Sequence, residues 1–135
     1  MLKPLWNKYE SGPDADIPAE GRVIKKVNLK AAAIPCVYLV EAVGSGMVKI
    51  GTILNGDKIQ SRILTLQTGC PFDLRLVYLF EDCGRIDESR IHKRWDHLRV
   101  RREWFRVDGE IGKFMAAVQA RSPDVDAMAQ AITWY

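Results

Sequence analysis

Two β-rich runs on either side of a Gly-Ser-Gly turn constrain the fold of this chain more than any other feature. The runs are Cys36–Val40 and Met47–Ile50, and the turn lies at 44–46. Residues with high strand propensity around a glycine-rich turn are typical of an antiparallel β-hairpin. Such a hairpin places Tyr38 and Lys49 on neighbouring strands, within about one residue pair of facing each other.

Helical and strand patterns alternate after the hairpin. Ile59, Ile63 and Leu66 form one face of a helix that a Gly-Cys-Pro sequence ends, and the LRLVYLF run at 74–80 is typical of a strand. The later patterns predict a helix over 88–98, a short strand over 103–107, a helix over 110–120 and a last helix over 123–133. The resulting β-β-α-β-α-(β)-α order predicts a small α+β domain, with a mainly antiparallel sheet flanked by helices.

Turn-rich sequence without a periodic apolar pattern precedes this domain. Residues 1–34 therefore predict a partly ordered N-terminal arm, with at most a short strand over 22–27. We place the compact domain at 35–120 and a C-terminal helix at 121–135. A chain of 135 residues is long enough to bury one core of its own.

The cations of the chain are unevenly distributed, although the net charge is only +3. Residues 85–106 hold eight Lys and Arg against four carboxylates, together with both histidines. Such a segment either follows a nucleic-acid backbone, where counterion release drives binding, or is a solvated surface, and the charges alone leave both open. Its candidate nucleic-acid-binding residues are Lys93, Arg99, Arg101 and Arg102.

Cysteine usage and hydropathy limit where the protein is expected to work. Three cysteines with no CxxC pair are typical of a reducing compartment, and they argue against a disulfide scaffold or a zinc site. The first ten residues lack the apolar stretch of a signal peptide, and the longest apolar run, at 31–40, is too short to span a bilayer. We therefore predict a cytoplasmic protein without a membrane segment.

The helix predicted over 88–98 carries an acid beside its buried stripe. At about 100° per residue, Glu88 lies roughly 60° from Ile91, on the side where Trp95 also lies. A carboxylate there needs a cation, a hydrogen-bond donor or a metal, unless it reaches water and only favours the helix dipole. His92 follows four residues later, a spacing that suits a metal pair, an acid–base couple or simple helix stabilisation.

Before this helix, three other residues have side chains suited to phosphate chemistry, although each also has an ordinary structural explanation. Arg62 lies at the rim of an apolar helix face, where it either packs its stem on the core or binds phosphate in a forked way. Tyr38 in a half-buried strand is usually a core aromatic, and Lys49 alone suits an exposed sheet face. Gly51 permits the close approach of another group to the backbone.

The order and spacing of these residues resembles the GIY-YIG endonuclease superfamily, most closely its small phage and bacterial branch called T5orf172 or MUG113. The matching segments are CVY at 36–38, VKIG at 48–51, RILTLQTG at 62–69, an E-x-x-x-H helix at 88–92 and an EWF box at 103–105. The resemblance covers about residues 35–115 and implies the GIY-YIG-like fold.

The resemblance implies a metal-dependent endonuclease that hydrolyses the phosphodiester bonds of DNA with one Mg²⁺ or Mn²⁺ ion. It implies that Glu88 is the metal ligand, Tyr38 the general base for water and Arg62 the group that binds the non-bridging phosphate oxygens. His92 would orient a metal-bound water or relay a proton. A Lys49 ammonium beside the phenol would favour the phenolate.

Departures from the superfamily pattern keep other interpretations open. Lys49 stands where the second tyrosine of the motif is found, Cys36 stands where its glycine is found, and no late asparagine is recognisable. Lys49, the missing asparagine and the small size favour a weakly active or inactive nucleic-acid-binding module on the same fold, whereas the retained Glu88 and Arg62 argue against it. A protein-interaction domain is the third interpretation. DNA is the expected partner, RNA fits the same chemistry, and a partner protein or dimer is expected to supply specificity.

Overall fold

The structure, a computed structural model, describes residues 33–133. In chain order its elements are β1 (Cys36–Ala42), β2 (Met47–Ile53), a 3₁₀ turn (Gly56–Lys58), α1 (Ile59–Gln67), β3 (Leu74–Glu81), α2 (Arg85–Arg94), a 3₁₀ turn (Asp96–Leu98), β4 (Arg99–Arg101), β5 (Trp104–Arg106), α3 (Gly109–Gln119) and α4 (Val125–Thr133). The predicted arm, with its strand at 22–27, lies outside the described residues apart from residues 33 and 34. Among the described residues, no helix is long and apolar enough to cross a membrane.

The five strands form one antiparallel sheet in the order β3-β1-β2-β5-β4. The prediction of an α+β fold with a mainly antiparallel sheet is confirmed. The hairpin between β1 and β2 turns where the glycine pattern predicts, because Gly44 and Gly46 take φ values of 86° and 75° that other residues rarely adopt.

The register of the hairpin decides which side chains share a face. Tyr38 is opposite Gly51, and Lys49 is opposite Val40. Tyr38 and Lys49 are therefore two positions out of register, not about one. Because side chains alternate along a strand, an offset of two places both on the same face of the sheet.

Helices cover both faces of the sheet. Helix α1 packs on the face that carries Tyr38, through Ile59 and Ile63. Helices α2, α3 and α4 pack on the other face, where Ile91, Phe114 and Ile132 belong to one buried cluster. Helix α4 thus shares the core of the sheet domain.

The helix that carries the candidate acid is shifted from its predicted bounds of 88–98. It begins three residues earlier, because the backbone N–H of Gly84 donates to the Asp87 carboxylate at 2.9 Å and closes the first turn. It ends four residues earlier, and a 3₁₀ turn follows. Ile91 and Trp95 are fully buried, as the helical wheel predicts.

The basic segment contains a strand that the sequence patterns did not predict. β4 pairs with β5, which itself matches the short strand predicted over 103–107. Arg102 lies in the turn between them with φ of 53°, in the left-handed region. The segment is therefore a second hairpin and not only a helix and a loop.

Candidate active site

The candidate site forms where β5 stops pairing with β2. Their last backbone hydrogen bond joins the N–H of Ile50 to the carbonyl oxygen of Glu103 at 2.9 Å. Alternate carbonyls of a strand point to the same side, so the carbonyls of Ile50 and Thr52 both face this side of β2. We call this stretch, the outward backbone of residues 50–52, the β2 edge.

Side chains from two helices form hydrogen bonds with the two carbonyl oxygens of the β2 edge. His92 of α2 lies with Nε2 3.0 Å from the carbonyl oxygen of Ile50. Arg62 of α1 donates from a terminal guanidinium nitrogen to the carbonyl oxygen of Thr52 at 3.1 Å. Because α1 and α2 cover opposite faces of the sheet, the β2 edge is the place where residues from both faces meet.

The contact of His92 with the backbone fixes its tautomer. A carbonyl oxygen can only accept, so Nε2 carries the proton in this contact. That nitrogen cannot bind a metal or accept a proton while the bond to Ile50 persists. The imidazole also lies 5.1 Å, between ring centroids, from the buried Phe105 ring. His92 therefore holds α2 against the β2 edge.

Tyr38 lies directly over Gly51. A β-carbon built at Gly51 would be 2.5 Å from the phenol oxygen and 2.6 Å from the adjoining ring carbon, so only glycine leaves room for the ring. The Arg62 guanidinium carbon is 5.9 Å from the centroid of the Tyr38 ring, at cation–π distance. The predicted phenol and guanidinium are therefore neighbours at the β2 edge.

Lys49 forms an ion pair that the sequence did not predict. Its Nζ lies 2.6 Å from Oε1 of Glu103, and it is 5.9 Å from the centroid of the Trp104 ring. Sequence reasoning gave Glu103 no role of its own. The signal was available, because Glu103 is the single carboxylate within the basic residues 97–107.

Glu88 completes the site from α2. Its Oε2 atom is buried, has no hydrogen-bond partner among the described residues, and lies 3.8 Å from Nε2 of His92. Burial raises the pKa of Glu88, and the negative charge of the nearby Glu103 raises it further, while His92 and Arg85 lower it less. The two carboxylates therefore lie close together, and the Lys49 ammonium contacts Glu103 whereas Glu88 has the more distant His92 beside it.

An unpartnered carboxylate oxygen suits a divalent cation. Within residues 33–133 there is no group of three or more His, Cys, Asp or Glu side chains able to hold a metal by itself. Mg²⁺ commonly takes one or two protein carboxylates and completes its shell with water and phosphate oxygens. Glu88 therefore fits a cation that is bound jointly with a phosphate, and not one enclosed by the protein.

The four basic residues predicted to contact nucleic acid differ in their surroundings. Lys93, Arg101 and Arg102 are exposed. Arg99 instead donates to Asp96 at 2.9 Å and to the backbone oxygen of Arg102, and its guanidinium carbon lies 5.0 Å from the Phe105 ring centroid. Arg99 therefore stabilises the second hairpin.

The comparison with known families places this domain in a nuclease-like or DNA-binding class. Residues 35–123 match the family model of the T5orf172 domain, and the chain belongs to this family. The T5orf172 domain is associated with the GIY-YIG-like nuclease fold, so the predicted resemblance is confirmed. No curated protein and no solved structure gives a significant match to the chain.

Proposed function

We propose that this chain is an endonuclease domain that hydrolyses phosphodiester bonds of DNA with one divalent cation. One observation carries the proposal: the buried, unpartnered oxygen of Glu88 lies at a strand edge that also gathers Tyr38, Arg62 and His92. Most buried side-chain polar atoms in folded proteins have a hydrogen-bond partner, so an unsatisfied carboxylate oxygen at this position supports a binding role.

Each side chain has a separate task in this proposal. Glu88 holds Mg²⁺ or Mn²⁺, and the bound cation supplies positive charge for the phosphate and its leaving oxygen. Tyr38, in its ionised form, takes the proton of the attacking water at its phenolate oxygen and becomes a neutral phenol. Arg62 binds a non-bridging phosphate oxygen with the guanidinium nitrogens that do not contact Thr52. His92 acts by positioning, because its bond to the β2 edge sets where α2 presents Glu88.

The second hairpin and α2 supply the phosphate contacts away from the scissile bond. Arg101 at the end of β4 and Arg102 in the turn that follows are exposed, and Lys93 is exposed on α2. Cations placed this way position a nucleic-acid backbone without reading its sequence. A partner protein or a second copy of the chain would supply sequence preference.

A second candidate function is a nucleic-acid-binding module that does not cut. The observation in its favour is the Lys49–Glu103 ion pair of 2.6 Å, because it occupies the ammonium that the nuclease proposal would use beside the phenol. A module of this kind would bind with the same salt dependence and would show no metal-dependent cleavage.

Plasmid nicking in Mg²⁺ and in Mn²⁺ tests the proposal, with wild type, Glu88→Gln and the exposed-site control Asp73→Asn purified in parallel. We expect wild type and Asp73→Asn to nick the plasmid, and Glu88→Gln to bind it in a mobility shift without nicking. Binding by all three proteins with nicking by none would favour the non-cutting module. Equal nicking by all three would contradict the role of Glu88.

A further inference from the structure

Glu103 differs from the other carboxylate of the site in how freely its side chain can move. Its backbone is fixed, since its carbonyl oxygen accepts from the N–H of Ile50 at 2.9 Å. Its side chain is 41% exposed, whereas that of its partner Lys49 is 15% exposed. The carboxylate of Glu103 can therefore turn toward water while its backbone stays in place.

Glu88 has no comparable freedom. Its side chain is 15% exposed, and it projects from the first turn of α2, which the His92 contact holds against Ile50. A substrate phosphate that enters this site becomes a third anion beside two carboxylates and one ammonium. If one carboxylate must move away from the phosphate, only Glu103 is placed to do so.

We propose that Glu103 is a positioning residue that holds the Lys49 ammonium in the substrate-free protein and yields it to a phosphate oxygen when nucleic acid binds. The inference rests on the proposed function, because it assumes that a phosphate reaches the site. Carboxylate and phosphate oxygens are alternative charge-assisted acceptors for one ammonium. Glu103 therefore opposes binding in the absence of a divalent cation.

A double-mutant cycle on affinity tests this exchange without any cleavage. Fluorescence anisotropy with a labelled DNA duplex, in EDTA at low salt, compares wild type, Glu103→Gln, Lys49→Gln and the double variant. We expect Glu103→Gln to bind roughly three- to tenfold more tightly than wild type, because the Lys49 ammonium no longer has a competing carboxylate acceptor. In the Lys49→Gln background, the same substitution is expected to change affinity less than twofold.

The possible results separate this inference from the proposed function. Wild-type binding with an unchanged or weaker Glu103→Gln, while thermal melting confirms folding, overturns the inference alone. A tightening of the same size in the Lys49→Gln background also overturns it, since the effect would then be general electrostatics. Absence of DNA binding by all four proteins overturns the proposed function and the inference together.

Discussion

A glutamate lies at each end of α2, and the two glutamates have different charge environments. At the C-terminal end, Glu110 accepts from the Arg94 guanidinium at 2.6 and 2.9 Å and from the indole nitrogen of Trp95 at 2.7 Å. These bonds, above all those from Arg94, lower the pKa of Glu110. At the N-terminal end, Glu88 has a raised pKa and an oxygen without a hydrogen-bond partner within residues 33–133.

This difference separates a carboxylate that stabilises the fold from one that is available for binding. We call Arg94, Trp95 and Glu110 the Glu110 cluster. It ties α2 to α3, and Arg94 also donates to the backbone oxygen of Ala131 in α4 at 3.2 Å. The satisfied end of the helix is thus the anchor that allows the other end to carry an unsatisfied group.

Tyr38→Phe separates chemistry from stability most sharply. We expect the metal-dependent cleavage rate to fall by about 10²–10⁴-fold, because the proposed general base is lost while the ring still packs over Gly51. Single-turnover cleavage should show the loss, with melting temperature and DNA affinity close to wild type. A rate equal to wild type would rule out Tyr38 as the base.

Glu110→Gln is expected to do the reverse. It weakens charge-assisted bonds to Arg94 and Trp95 and should lower the free energy of unfolding by about 1–2 kcal/mol. The side chain of Glu110 is 39% exposed, so solvent screening keeps the loss toward the lower figure. Urea unfolding beside Asp73→Asn measures it, and unchanged stability would show that the Glu110 cluster is not an anchor.

Glu88→Gln should raise stability, whereas Glu110→Gln lowers it, and the two variants should depend on pH in opposite ways. The raised pKa of Glu88 means that its ionised form opposes folding, so wild type loses stability as pH rises from the usual glutamate range through that pKa. The melting temperature of Glu88→Gln should exceed that of wild type near neutral pH, and the charge-dependent part of this gain should vanish at acid pH.

The lowered pKa of Glu110 has the opposite sign. Its contribution is present above the usual glutamate range and is lost as pH falls through the lowered pKa. Melting curves of both variants across pH 3–8 compare the two ends of α2 directly. Parallel profiles for Glu88→Gln and Glu110→Gln would contradict the distinction between them.

The smallest expected effect distinguishes two arginines of the second hairpin. Arg101→Gln should reduce the slope of log affinity against log salt by about 0.9, the value for one lost phosphate contact on duplex DNA. Arg99→Gln should reduce this salt-dependence slope less than Arg101→Gln does. It should instead lower the melting temperature, since it breaks the contact with Asp96. Equal changes in slope for both would place Arg99 on the nucleic acid.

Local patterns predicted the parts of the fold that depend on near neighbours. The first hairpin follows from strand propensity around Gly44 and Gly46, and the buried side of α2 follows from the helical period of Ile91 and Trp95. The start of α2 was missed although its signal is local, because the Gly84–Asp87 hydrogen bond that begins the helix was not recognised in the sequence.

Partners across the sheet could not be predicted in the same way. The contact of Lys49 with Glu103 joins residues 54 positions apart, and that of His92 with Ile50 joins residues 42 apart. Both contacts depend on Trp104 being the first residue of β5 that pairs with β2. Tertiary pairing sets that boundary, and strand propensity does not. A charge run likewise cannot show that Arg99 is engaged by its neighbours while Arg101 is exposed.

The pairing of β5 with β2 begins only at Trp104, and this limit has a consequence for insertions. Two additional strand-forming residues before Trp104 would continue the ladder along β2 and take the carbonyls of Ile50 and Thr52 into ordinary sheet pairing. His92 and Arg62 would lose their acceptors together, although no side chain of the site had been replaced. A comparable insertion at 43–46, at the far end of the first hairpin, would leave those carbonyls untouched. A change in loop length can therefore disrupt the candidate site as completely as a substitution in it.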